Sequence, residues 1–262
     1  YPNGKLADYY GIVRYGQLAH IPSLIIEHCF ISSDSDSAQF LSSEEKLRAL
    51  ALADAGGIAA YYGLEKKAEG EVDPEPTFRD CRNHWARSYV ETAAAAGWVS
   101  GVGEGKFEPN ATLTRGAFVT MLAALAGINK ADYTGSRFAD VAASAWYAPG
   151  VSWAASEGIV SGVGDGKFEP NRNIARQEMA VIMTAYLKWK GVDATPGTEP
   201  SAYNIADLDT IAPWALDSVC FCYEKKLLTG RDTGFAPLDN ATRAEACVVL
   251  CGLHDFLTAS GG

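Results

Sequence analysis

The chain contains no run of about 20 apolar residues, so no segment is long enough to cross a bilayer as a helix. It also lacks any lysine- or arginine-rich patch, and its net charge is −10. That balance excludes nucleic acid and anionic membrane surfaces as main partners. Cysteine is sparse, with six in 262 residues, too few for a disulfide framework of the kind that holds short secreted chains together. Neither an initiator methionine nor a secretory leader stands at the front, where the first residue is Tyr1. What remains is ordinary globular material, 48% hydrophobic and 21% charged, enough for about two domains.

A repeat dominates this material. Ser100-Gly-Val-Gly-Glu-Gly-Lys-Phe-Glu-Pro-Asn-Ala-Thr-Leu-Thr-Arg115 returns as Ser161-Gly-Val-Gly-Asp-Gly-Lys-Phe-Glu-Pro-Asn-Arg-Asn-Ile-Ala-Arg176. A worn third copy runs from Thr229 to Arg243. Each copy is a glycine-rich loop that ends in an arginine at the head of an apolar helix. Phe78-Arg-Asp80, Phe138-Ala-Asp140 and Ile205-Ala-Asp207 open the copies, and Trp85, Trp146 and Trp214 follow at the start of a first helix. Apolar residues then recur at three and four (Phe118, Met121, Leu122, Leu125; Met179, Ile182, Met183, Tyr186), the period of a helix with one buried face. One helix–loop–helix unit of about 50 residues buries too little core alone. Three packed together predict a mainly α pseudo-threefold bundle, with the arginine loops placed alike between neighbours.

The organisation follows. Residues 1–64 form a small α/β fragment: a helix from Leu6 to Gln17, a strand-length run from Ile21 to Ile31, and a helix entered through Ser42 and Ser43 and running to about Tyr62. One strand makes no sheet, so the rest of that fold is expected upstream of Tyr1. Residues 65–77, charged and with two prolines, read as a linker. The repeats occupy 78–128, 138–190 and 204–258, with a second linker at 191–202.

The loops offer limited chemistry. Thr242-Arg-Ala-Glu245 is a capping box; Thr114-Arg-Gly-Ala117 keeps only the threonine, and Ala175-Arg-Gln-Glu178 only the glutamate. Arg115, Arg176 and Arg243 nonetheless stand in all three, although a cation at a helix N-terminus is mildly unfavourable. Two readings are open: an arginine offered to an anion beside free helix amides, or one that salt-bridges a carboxylate within its own repeat. The tryptophans are either core anchors, the commoner use, or flat faces for a sugar ring. Asp80, Asp140 and Asp207 read as helix caps or ligand acceptors. The glycines read as tight turns with positive φ and as points of close approach to a ligand. They follow helices rather than strands, against a dinucleotide fingerprint, and the spacing is not that of a calcium loop. Cys220, Cys222, Cys247 and Cys251 could form a zinc set, but the first two fall on different helix faces. Small buried core residues are the preferred reading, with one inter-helix disulfide left open.

Phe-x-Asp, the tryptophans, the Gly-x-Gly-x-Gly-x-Phe-x-Pro-Asn loop and Thr-Arg-Ala-Glu together resemble three tandem S-layer homology domains. The resemblance implies a helical pseudo-trimer that holds exported proteins on the bacterial cell wall by binding secondary cell wall polymers, often with pyruvylated amino sugars. It implies that Arg115, Arg176 and Arg243 pair with the ketal carboxylate, in grooves shaped by the three tryptophans, by the three aspartates, and by Gly101, Gly162 and Gly230. The partners it implies are wall polymer and peptidoglycan, outside the cell.

Asp8-Tyr-Tyr-Gly-Ile-Val-Arg14, Pro22 and Ile25-Ile-Glu-His-Cys-Phe-Ile-Ser32 resemble the end of a zinc-dependent N-acetylmuramoyl-L-alanine amidase. That resemblance implies Glu27 as the catalytic carboxylate acting on a metal-bound water. The family's His, Glu and His zinc ligands belong to the upstream part, and His20 and His28 match none of them. Zinc is therefore expected of a complete amidase domain and no cofactor is expected in this chain.

Overall fold

A computed structural model describes residues 42–62, 75–231 and 234–260. The chain divides into two compact units, 1–74 and 75–262. In the first unit the described part is α1 (Glu44–Tyr62), entered through Ser43, whose Oγ accepts from the Lys46 amide, with Glu44 and Glu45 in the first turn. The expected helix at Leu6–Gln17, the strand at Ile21–Ile31, Glu27, His20 and His28 lie outside the described residues.

The second unit is a mainly helical bundle. Its helices are α2 (Arg87–Ala95) and α3 (Arg115–Ala126), α4 (Ala148–Ser156) and α5 (Arg176–Trp189), and α6 (Leu216–Glu224) and α7 (Arg243–Ser260). Gly127 closes α3 in the left-handed conformation, φ 69°, which glycine adopts without cost. Among the described residues the extended pairing is confined to isolated bridges.

The bundle is not three hairpins side by side. The long helix of each repeat packs on the short helix of the next: α3 on α4, α5 on α6, and α7 back on α2. Gly150 of α4 shows how close this is, since a Cβ there would come within 3.1 Å of the Thr120 backbone. No repeat can bury its apolar face until the ring closes, which is why a 50-residue unit needs its neighbours. The core so formed includes Phe107, Phe118, Leu122, Trp153, Phe168, Met183, Phe221 and Leu250, all fully buried.

Backbone hydrogen bonds close the same ring at one end. Leu113 N donates to Ala241 O (2.8 Å), Ala241 N to Ile174 O (3.0 Å), and Ile174 N back to Leu113 O (2.9 Å). These are equivalent positions of the three copies and all are buried. Each buried amide so paired escapes an unsatisfied-donor penalty of about 1–3 kcal/mol.

Between the second and third repeats the chain is tied down. The Gly197 amide and the Tyr203 hydroxyl both donate to Glu224 Oε2, at 2.7 and 2.6 Å. Ahead of the first repeat, the Thr77 amide donates to Glu91 Oε1 at 2.9 Å.

Candidate functional site

The glycine loops come into position through the aspartates. Asp80 Oδ1 accepts from Phe107 N (2.9 Å) and Oδ2 from Glu108 N (2.7 Å); Asp140 does the same for Phe168 and Glu169, and Asp207 for Phe235 and Ala236. Burial opposes the charge on Asp80 and Asp140, but these amides outweigh it and hold both carboxyls below the ordinary range. The residues they grip, Glu108, Glu169 and Ala236, sit at φ of 57°, 57° and 55°, a conformation unfavourable to side chains. The three aspartates therefore pin the loops, and neither Asp80 nor Asp207 makes a side-chain helix cap.

Gly101 and Gly162 are small for a packing reason. A Cβ on either would lie 2.6 Å from the carbonyl of Lys106 or Lys167, and under 3 Å from the Phe78 or Phe138 ring. Gly230 would meet the Gly234 carbonyl at 2.9 Å. Close approach is thus to the loop's own returning backbone, and the left-handed turns fall instead at Gly103, Gly105, Gly164 and Gly166.

The caps form as the sequence spells them. Thr114 Oγ1 accepts from Ala117 N; Glu178 accepts from Ala175 N; Thr242 and Glu245 exchange both bonds. The amides ahead of them are not free. Arg115 N and Gly116 N donate to Arg172 O and Pro170 O, Arg176 N and Gln177 N to Asp239 O and Pro237 O, and Arg243 N and Ala244 N to Ala111 O and Pro109 O. The expected anion site on open helix amides is absent at those positions, because the next repeat's loop has taken the donors.

The arginines are joints between repeats. Arg115 Nε donates to Phe168 O and its guanidinium lies 4.7 Å from that ring; Arg176 matches on Phe235 at 5.1 Å, and Arg243 on Phe107 at 4.4 Å. Arg115 Nη1 pairs with Glu178 at 3.0 Å and Arg176 Nη1 with Glu245 at 3.2 Å. The salt-bridge partner therefore comes from the following repeat, not from the same one. Arg115 and Arg176 are buried, 5% and 2% exposed. Burial pulls the Arg176 guanidinium down to about 10 against the pull of Glu245, so it still carries its charge at neutral pH. The glutamates are held twice over: Arg172 grips Glu178 through both Nη atoms, and Arg231 grips Glu245. In the first copy Ala117 stands where Glu178 and Glu245 stand, and Arg243 is left with two carbonyls, Phe107 O and Ser100 O (2.9 Å).

The tryptophans reverse their preferred reading. Trp85, Trp146 and Trp214 are 57%, 64% and 60% exposed, so they anchor no core. Trp214 lines a groove of about 510 Å³ together with Arg115, Gly162, Val163, Glu178 and Ile182. This groove draws its arginine from the first repeat, its loop and helix from the second, and its tryptophan from the third. In the second repeat Tyr147, edge-on to Trp146, lies against Gly116 of α3. The combination of an exposed indole, a shallow wet cleft and a guanidinium at its floor suits a saccharide: a flat apolar face beside polar groups.

The five described cysteines are free and buried, as expected of small core residues. Burial pushes the Cys247 thiol up to about 12 and Cys81 to about 11, which keeps both protonated and unreactive. Among the described residues no three His, Cys, Asp or Glu side chains converge on a metal position, and no helix is long and apolar enough to cross a membrane.

Comparison with known proteins places the three repeats. A family model described as the S-layer homology domain matches residues 77–119, 137–180 and 204–247. Over 187 residues the chain is 35% identical to an amylopullulanase of Thermoanaerobacterium thermosulfurigenes, covering 68% of this chain and 10% of that protein. It is 31% identical over 172 residues to the S-layer protein sap of Bacillus anthracis, 65% of this chain and 20% of the relative. An uncharacterized cell wall amidase of Bacillus anthracis is 29% identical over 145 residues, 54% of this chain and 27% of the relative. The chain thus spans a tenth to about a quarter of these relatives' lengths.

Proposed function

The chain belongs to the S-layer homology domain family, and from that premise we propose that residues 75–260 are a non-covalent anchor to the bacterial cell wall. The anchor binds an acidic wall polysaccharide in the clefts between repeats. The observation that carries the proposal is the set of three exposed tryptophans at equivalent positions, one of them lining a cleft that also holds a buried arginine. Three indoles at matching places, each more than half exposed, offer flat apolar faces to a partner. The comparisons support a module rather than a catalyst: an amylopullulanase, an S-layer protein and a cell wall amidase share a segment like this one and their names share no chemistry. The setting is extracellular, at the cell surface, and the partner is wall polymer.

The arginines act chiefly by holding each cleft in shape, and they contribute a positive floor where no glutamate neutralises it. Sequence around Glu27 favours a second activity for a longer product. There the anchor would hold a peptidoglycan amidase at its substrate and raise its local concentration. Zinc is the metal such an amidase resemblance implies. The described residues supply no site for it, and no hydrolytic step is assigned to this chain.

The test is retention of the purified chain on cell wall that carries or lacks pyruvylated polymer. Wild type should be retained on the first and lost from the second. Replacing Trp85, Trp146 and Trp214 together by alanine should abolish retention with the far-ultraviolet spectrum unchanged. Equal retention of wild type on both walls would sink the acidic-polymer reading. Undiminished retention of the triple variant would sink the indole platform.

A further inference from the structure

We propose that the C-terminal ends of the three long helices hold a site for a small carboxylate with an apolar body, bound between the Tyr186 hydroxyl, Lys190, Leu125 and Leu257. Lys190 lies about 20 Å along α5 from Arg176. The site is thus remote from the arginine joints and does not depend on the anchoring proposal.

Leu125 of α3, Tyr186 and Lys190 of α5, and His254, Leu257 and Thr258 of α7 line a cavity of about 390 Å³. Leu125 and Tyr186 occupy equivalent positions, counted from Arg115 and Arg176, and Leu253 is their counterpart after Arg243. Two copies therefore fill this layer with leucine, and the second puts a phenol in it. The fold itself does not ask for a hydroxyl here. Tyr186 is 1% exposed, its ring edge-on to Trp153 and tilted against Trp189. Among the described residues its hydroxyl has no hydrogen-bond partner, and burial alone accounts for its shifted acidity. A buried polar group in that state costs stability until something arrives to pair with it.

The charge at the cavity is uncompensated too. Lys190 Nζ lies 4.6 Å from the Trp189 ring centroid and 5.9 Å from that of Tyr186. Among the described residues Lys190 pairs with no carboxylate, and no acidic side chain is among the lining residues. Helix C-termini are mildly negative, which by itself opposes an anion. Here, however, carbonyls at the helix ends are already taken: Tyr186 O by Lys190 N, Leu187 O by Val192 N, Ala123 O by Ile128 N, and His254 O by Thr258 Oγ1. The free capacity is therefore on the donor side, in the Tyr186 O–H and the Lys190 ammonium. Burial pushes the Tyr186 hydroxyl up to about 12, so it keeps its proton and donates at neutral pH. Two donors, one of them charged, suit a carboxylate, which brings two acceptor oxygens. Leu125 and Leu257, both partly buried, supply the wall for an apolar remainder. A free aliphatic acid and the carboxyl end of a peptide share this chemistry.

The full chain is titrated by calorimetry with four probes: 4-methylvalerate, N-acetyl-alanyl-alanine, neutral 4-methylvaleramide and inorganic phosphate. Wild type should bind at least one of the two carboxylates at one site per chain, and which of them binds identifies the source. The neutral amide should bind about tenfold more weakly or not at all. Tyr186→Phe and Lys190→Met should each weaken carboxylate binding about tenfold. Without ligand, Tyr186→Phe should melt at the same temperature as wild type or higher, because it removes a hydroxyl that the fold leaves unpaired. Saturating carboxylate should raise the melting temperature of wild type and leave that of Tyr186→Phe unmoved. No binding of either carboxylate by wild type would overturn the site, and undiminished binding by both variants would place it elsewhere. Equal binding of amide and acid would overturn the carboxylate, as would phosphate binding in a Lys190→Met-sensitive way while both acids fail. A lower melting temperature for ligand-free Tyr186→Phe would show that the fold already uses the hydroxyl, and would overturn the proposal as well.

Discussion

The joint made by Arg176 and the one made by Arg243 are built from equivalent residues and differ in their electrostatics. Arg176 is 2% exposed and closed on three sides, by Phe235 O, Thr229 O and Glu245. Arg243 is half-buried and closed on two. A single position sets the difference, glutamate at 245 and alanine at 117, because that side chain serves both the helix cap and the joint. Repetition therefore does not make three equal joints: a symmetric scaffold lets one substitution change how an arginine is held.

The contrast can be broken most forcefully at the arginines. Arg176→Ala should cost about 3 kcal/mol in urea denaturation, since it leaves the Phe235 and Thr229 carbonyls without their buried donor and takes one of two arginines from Glu245. Arg243→Ala strands only carbonyls and should cost about 1 kcal/mol. Equal losses would mean that Glu245 contributes nothing the third joint lacks.

Next come the glycines. Gly162→Ala drives a Cβ to within 2.6 Å of the Lys167 carbonyl and 2.9 Å of the Phe138 ring, and should cost about 2 kcal/mol. Gly230→Ala, with one contact at 2.9 Å, should cost less.

Acid gives a smaller and graded effect. Burial works against the charge on Glu178, but Arg172, the Ala175 amide and Arg115 outweigh it and hold the carboxyl below its ordinary 4.5. A depressed folded value contributes stability that is full above about 4.5 and is lost as pH falls through the lower folded value. Thermal unfolding of wild type should therefore weaken across that window, and Glu178→Gln should flatten the slope. An unchanged slope would separate the glutamate from the joint's stability.

Smallest is the Ala117→Glu change in stability, expected to be a gain of about 0.5–1 kcal/mol from the completed cap. A loss would show that the Arg243 joint has no room for the added carboxylate.

Much of the bundle was readable from residue order. The period of three and four in α3 and α5, the capping residues at 114, 178, 242 and 245, and the thrice-repeated loop each depend on neighbours within a turn or two of chain. Local rules reach that far, and the threefold bundle followed because one unit is too small to be stable. What the aspartates, glycines and tryptophans pack against was harder to read. Asp80 looks like a helix cap until the loop 27 residues away is seen to hang from it. Gly101 looks like room for a ligand until the Phe78 ring is found against it. Trp85, Trp146 and Trp214 looked like core because indoles usually are.

Sequence alone determined the helices, their caps, the period and the invariance of Arg115, Arg176 and Arg243, all of which are local pattern and chemistry. Only the tertiary structure decided what the arginines do. Each is engaged by the following repeat, at separations of 53 to 136 residues for the phenylalanine carbonyls. No local rule pairs groups so far apart. Closing the ring gives Arg115 and Arg176 a glutamate from the next repeat and gives Arg243 two carbonyls, and that distinguishes one joint from the other two.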